Sequence, residues 1–180
     1  MVTKKNIYRV LICMFFSSCA ICEDFPYDSK ALTYKNKFVF DNQFKMAGIY
    51  THKRYPDKNI YYYMYLFKNG MCCHIGIEDP NEEFFKDCIE IWPNARNIPY
   101  FWGCFIVESN ILKVQTYDAT SMNKYTKYKV EERWAEIVND STLHFFKAID
   151  PEGKSRNLDE TFHFRYCENK PDSTNILMTD

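Results

Sequence analysis

Glycine is scarce in this chain: five in 180 residues, against fifteen phenylalanines, fourteen tyrosines and three tryptophans. That composition excludes collagen-like and low-complexity chains, and an aromatic share of 18% excludes a disordered one. Charge of one sign is also lacking, because 23 Lys and Arg stand against 24 Asp and Glu. Lys4, Lys5 and Arg9 all lie in the first nine residues, so a body without them carries 20 cations against 24 anions. A mildly acidic body argues against nucleic acid as a partner, since phosphate contact needs a basic face. No Gly-x-Ser-x-Gly elbow, phosphate loop or His-Glu-x-x-His helix occurs, so no enzyme is expected. At 21.6 kDa the chain has room for one ordinary domain and a short appendage.

The appendage is at the amino end. A basic stretch to Arg9 precedes the apolar run Val10 to Phe16, and Ser17-Ser18-Cys19-Ala20 supplies small residues behind it. These are the three regions of a secretory signal. The run is far shorter than the about 20 residues of a membrane-spanning helix. Two processing routes fit. Phe16-Ser17-Ser18-Cys19 reads as a relaxed lipobox, which would make residues 1–18 the signal peptide and leave Cys19 as a lipidated amino terminus. The other route cuts after Ala20 and leaves a protein without lipid. Residues 19–43 are polar and aperiodic, a tether or an ordered lead-in, and 44–180 form the body.

The body reads as short strands. Phe44 to Tyr55, Ile60 to Phe67 and Met71 to Ile77 are joined by a Pro56 to Asn59 loop and by Asn69-Gly70, the latter expected to form a type I′ hairpin turn. Five more runs follow: Phe101 to Glu108, Ile111 to Tyr117, Tyr125 to Val138, Thr142 to Ile149 and Thr161 to Cys167. Between the third and fourth, Phe84, Phe85, Cys88, Ile89 and Trp92 recur at helical spacing behind Asp79-Pro80, which predicts one short helix, with an edge strand as the other reading. Eight strands on short connections predict an all-β, antiparallel up-and-down barrel, with a two-sheet sandwich as runner-up. The second strand, Ile-Tyr-Tyr-Tyr-Met-Tyr-Leu-Phe, has no polar face and should be covered on both sides. In the sixth run Tyr128, Val130, Glu132 and Trp134 share the face expected to be packed, and Lys127, Lys129, Glu131 and Arg133 share the face expected to be wet.

Gly48-Ile49-Tyr50, the Asn69-Gly70 hairpin, Trp102-Gly103-Cys104-Phe105-Ile106-Val107-Glu108 and Lys170-Pro171-Asp172-Ser173-Thr174-Asn175 together resemble the lipocalin-like lipoproteins of Gram-negative gut anaerobes. The likeness spans about Phe44 to Asn175. The chain departs from it at Tyr50, where lipocalins proper carry Trp, and at Cys104, where the group tends to show an aromatic or small residue. The resemblance implies a lipocalin-like calyx, a lipid anchor at Cys19 and residence on the cell envelope, most simply the outer membrane. A secreted or periplasmic protein is the alternative location. It implies no activity.

An eight-stranded barrel is either filled or just wide enough for one small ligand. If hollow, Tyr63, Trp102, Tyr128 and Trp134 are the expected aromatic lining, with Glu132 among them as a ligand contact, and the ligand is small and apolar or amphipathic. If solid, the chain is a structural subunit whose outer aromatics dock another envelope protein. Cys72 is expected to face outward and to staple the overlying helix through Cys88, with reduced thiols as the alternative. The four histidines are scattered and Cys72-Cys73-His74 offers only two ligands on one face, so neither a metal nor another cofactor is expected.

Overall fold

In the computed structural model, which describes residues 29–37, 43–55, 57, 60–78, 95–117 and 129–178, the strand runs close on themselves. They are β1 (Gly48–Lys53), β2 (Ile60–Leu66), β3 (Met71–Glu78), β4 (Trp102–Glu108), β5 (Ile111–Tyr117), β6 (Val130–Asn139), β7 (Thr142–Ile149) and β8 (Ser155–Tyr166). Each pairs antiparallel with the next, and β1 pairs with β8 through Gly48 opposite Tyr166 and Tyr50 opposite Phe164. The result is an eight-stranded up-and-down barrel of lipocalin-like form, not a sandwich. The helix expected between β3 and β4 lies outside the described residues; Ala95–Asn97 and Pro99–Phe101, just before β4, are 3-10 turns.

The hairpins follow local chemistry. Gly70 sits at φ +80° while Asn69 does not have positive φ, and the Gly70 amide donates to the Phe67 carbonyl at 2.9 Å. The β2–β3 connection is therefore a type I turn ending in a left-handed glycine, not the expected type I′ turn. In the two-residue β4–β5 turn, Ser109 takes the positive φ, at +60°.

Alternation along each strand sends neighbouring side chains to opposite faces, and here residues of both faces are buried in β2 to β5. The inward layer draws on all eight strands, with Tyr50, Met64, Cys72, Phe105, Leu112, Ala135, Leu143 and Phe162 among its members. The outward layer comprises Ile49, Tyr63, Tyr65, Met71, Cys73, Trp102, Cys104 and Tyr117, and residues from outside the barrel cover it: Leu32 before β1, Cys167 and Leu177 after β8. The all-apolar β2 thus has its two covers. A bulge in β7 near Phe146 shifts the pleat, so that Phe145 and Ala148 both face inward.

One end of the barrel is solid. Phe44 and Met46 lie ahead of β1 rather than in it, and Phe44 packs edge-on against Tyr50 and Phe105 at centroid distances of 6.5 and 6.2 Å. The Tyr50 hydroxyl, buried there, donates to the Lys45 and Asp140 carbonyls at 3.0 and 3.2 Å. Lys170 joins the carboxyl-terminal tail to this end, its ammonium donating to the Met46 and Leu66 carbonyls over the Phe67 ring. At the other end, where β1, β3, β5 and β7 finish, no plug of this kind is present among the described residues.

Candidate ligand cavity

Strand chemistry changes along the barrel axis. At the closed end the inward residues are bulky and apolar. Toward the open end they become Gly76, Val114 and Thr116 on β3 and β5, and Arg133, Glu131, Arg156 and Glu160 on β6 and β8. Small side chains on one side and charges that refuse a dry core on the other leave a cavity of about 370 Å³. Tyr100 and Phe101, from the 3-10 turn ahead of β4, line it as well.

The charged wall is a chain of ion pairs. Arg133 Nη2 donates to Glu160 Oε2, Arg133 Nε lies 3.8 Å from Glu131 Oε1, and Arg156 Nη2 is 2.9 Å from Glu131 Oε2. The Arg133 guanidinium also covers the Phe145 ring at 4.8 Å. Both arginines therefore meet carboxylates, which is what lets charge persist in a half-buried site. Arg54, at the rim just past β1, differs. It lies 4.8 Å from the Tyr62 ring and 5.1 Å from that of Tyr55, and it has no carboxylate partner among the described residues.

His74 projects inward from β3 opposite Met64. Burial, with the Arg133 charge adding to it, holds its imidazole down to about 4, so the ring is neutral at physiological pH. Its Nδ1 is buried and makes no hydrogen bond among the described residues. Burial likewise raises the Tyr62 phenol, against the pull of Arg54.

The aromatic lining expected from sequence falls mostly on the other side of the wall. Trp102 belongs to the outward layer, stacked on Phe67 at 5.8 Å. Trp134 is outward too, with Lys147 and Lys113 over its ring at 4.2 and 4.7 Å. Glu132 accepts from the Tyr34 hydroxyl at 2.8 Å, from Gln115 at 3.1 Å and from the Trp134 indole at 2.5 Å, all outside the barrel. Tyr63 borders the cavity but packs in the outward layer, and Tyr128 lies outside the described residues. The two faces of β6 are thus reversed from expectation: Glu131 and Arg133 look into the barrel, while Glu132 and Trp134 look out. The physical reason is the cavity. A barrel with a water-sized or larger void can take ion pairs on its inner wall, and alternation alone does not say which face is inside.

Residues 29–37, expected as part of a tether, lie against this outer wall. Leu32 is buried, Gln115 accepts from the Tyr34 amide at 3.2 Å, and the Tyr34 hydroxyl is pushed up by its burial and by the Glu132 carboxylate. The site residues that sequence reasoning missed are Arg54, His74, Glu131, Arg133, Arg156 and Glu160. One signal was present: Arg156, Leu158, Glu160, Phe162 and Phe164 alternate along a strand of 12 residues that begins six residues ahead of the expected run Thr161 to Cys167, with charges and apolar groups on one face.

The expected cysteine staple does not form. Cys72 faces inward, is fully buried and is a free thiol, so it cannot reach out to Cys88, which itself lies outside the described residues. The outward position on β3 belongs to Cys73, because Met71, Cys73 and Ile75 pack the outer layer rather than the barrel interior. Burial raises both thiols, and Cys73 is pushed up to about 12. Cys167 is disulfide-bonded to a cysteine outside the described residues. Among the described residues no three His, Cys, Asp or Glu side chains converge as metal ligands.

The cavity's means are guanidinium donors, carboxylate acceptors and aromatic faces at the mouth of a closed-bottomed barrel. No protein-family profile, curated protein or solved structure matches this chain.

Proposed function

We propose that this chain is an exported binding module of the lipocalin-like lipoprotein kind, held on an envelope membrane by lipid at Cys19, whose barrel captures one small amphipathic ligand. The observation that carries this reading is the cavity of about 370 Å³, lined by aromatic and charged side chains together. A solid barrel would have offered no such volume. The disulfide at Cys167 supports export, since such bonds persist in oxidising compartments, and so does the leader-like sequence to Phe16. Docking of an envelope protein through outer aromatics has less support, because Tyr65 and Trp102 are buried beneath the chain's own lead-in and tail.

Native mass spectrometry of protein purified from its host tests the reading. A single small adduct that dissociates on gentle activation is the expected result. An empty barrel in stoichiometric complex with another protein would replace capture by docking. Metabolic palmitate labelling tests the anchor separately: label is expected on the wild type and absent from Cys19→Ala, and an unlabelled mature protein starting at Ile21 would replace the anchor by plain secretion.

A further inference from the structure

We propose that the cavity selects a compact, ring-bearing monoanion, an aromatic or heteroaromatic carboxylate, with its charge on Arg54 and its ring on the Tyr62, Tyr100 and Phe101 faces. This rests on the binding-module reading and adds the class of ligand.

Three observations converge on it. The first is charge. The described lining carries three guanidinia, of Arg54, Arg133 and Arg156, against two carboxylates, of Glu131 and Glu160. The last four of these pair among themselves in the chain Glu160–Arg133–Glu131–Arg156. Arg54 is the cation left over, flanked by Tyr55 and Tyr62 rings and by no described carboxylate. A planar guanidinium takes a carboxylate through two parallel hydrogen bonds. A cationic ligand meets repulsion at the same place.

The second is size. A volume of about 370 Å³ lies near the lower end of ligand pockets, which run from about 300 to 1,000 Å³. Phe44, Tyr50 and Phe105 fill the barrel below, so a long acyl chain has no channel to follow. The third is the character of the walls. An alkyl tail gains from apolar surroundings on all sides, whereas the lining of this cavity combines Tyr62, Tyr100 and Phe101 with ion-paired arginines and glutamates. A flat ring with a polar edge satisfies both sides, apolar face to aromatic face and edge to the charges.

Isothermal titration of the mature protein with four probes is the test: indole-3-acetate, indole-3-acetamide, tryptamine and decanoate. The first three share a ring and differ in charge; the fourth shares the carboxylate and lacks the ring. Indole-3-acetate is expected to bind about tenfold or more tightly than the amide, the size of one charge-assisted contact, with tryptamine and decanoate weaker than either. Arg54→Gln should cost the acetate more affinity than the amide and so close most of the gap between them, with Arg54→Lys in between; Arg54 is exposed, so the fold tolerates these changes. Equal binding of acetate and amide, preference for tryptamine or preference for decanoate would each overturn the assignment and leave the binding module standing. Failure of all four probes to bind would likewise overturn the assignment, and the adduct in native mass spectrometry decides the binding module separately.

Discussion

A methyl group at position 103 has nowhere to go. A Cβ built there would lie 2.1 Å from the Gln115 carbonyl oxygen, 2.8 Å from Thr116 Cγ2 and 3.1 Å from the Cys72 sulfur, and the first of these is backbone that cannot swing aside. Gly103→Ala should therefore destabilise the barrel by at least about 3 kcal/mol in urea unfolding, or prevent it from folding, by forcing β4 and β5 apart. Gly48 is in the same position, its Cβ meeting the Arg165 oxygen at 2.1 Å. Both glycines sit in motifs the sequence displays openly, yet the reason for them, the close approach of a neighbouring strand, exists only in the closed sheet. His74 gives a second prediction at this scale. Its pKa falls from 6.5 unfolded to about 4 folded, so between those values the unfolded chain binds a proton that the folded chain refuses. The sign follows: stability from this group is complete above pH 6.5 and declines as pH falls to 4, by about 3 kcal/mol at most. Across that interval wild-type stability should fall relative to that of His74→Leu as acid is added, because only the wild type carries this slope. Parallel curves would assign the acid sensitivity to other groups.

Among the elements, β2, β3, β4, β5 and β7 match their expected ranges to within a residue, because an apolar run and its flanking turn or breaker residues mark each one. The first half of β8 was not legible, because Ser155 to Glu160 is polar and two of its inward residues, Arg156 and Glu160, serve the cavity rather than a core. The faces of β6 were misjudged for the same reason. Lipid-like patterning rules assume a dry interior, and Glu131 and Arg133 occupy a wet one. The amino-terminal lead-in shows the converse, a polar aperiodic segment that docks through specific bonds. Its strongest tie is the Tyr34 hydroxyl to Glu132, with Thr33 and Gln115 adding contacts. Tyr34→Phe should cost about 1–2 kcal/mol, and its cost should shrink when made in the Glu132→Gln background, because the two residues share one contact. Limited proteolysis should then cut residues 29–37 faster in the variants than in the wild type while the barrel stays intact. Equal cleavage rates would mean that Leu32 burial alone seats the segment.

At the scale of the whole molecule the thiol inventory distinguishes two kinds of cysteine. Cys72, Cys73 and Cys104 are buried and free, and Cys167 is bonded. Protein unfolded without reductant should therefore expose at least these three thiols, and reduction should add two more. Reduction of the native protein should lower its stability by about 2–4 kcal/mol, the usual yield of one cross-link. No gain of thiols on reduction would show the bond to be absent.

The stoppered base that Phe44, Tyr50 and Phe105 make of one end gives the molecule a direction. If the proposed capture holds, a ligand that passes the rim near Arg54 leaves on the same side, so loading and unloading exclude each other in time. Such a vessel can carry cargo or surrender it to a recipient that engages the rim. It cannot serve as a conduit.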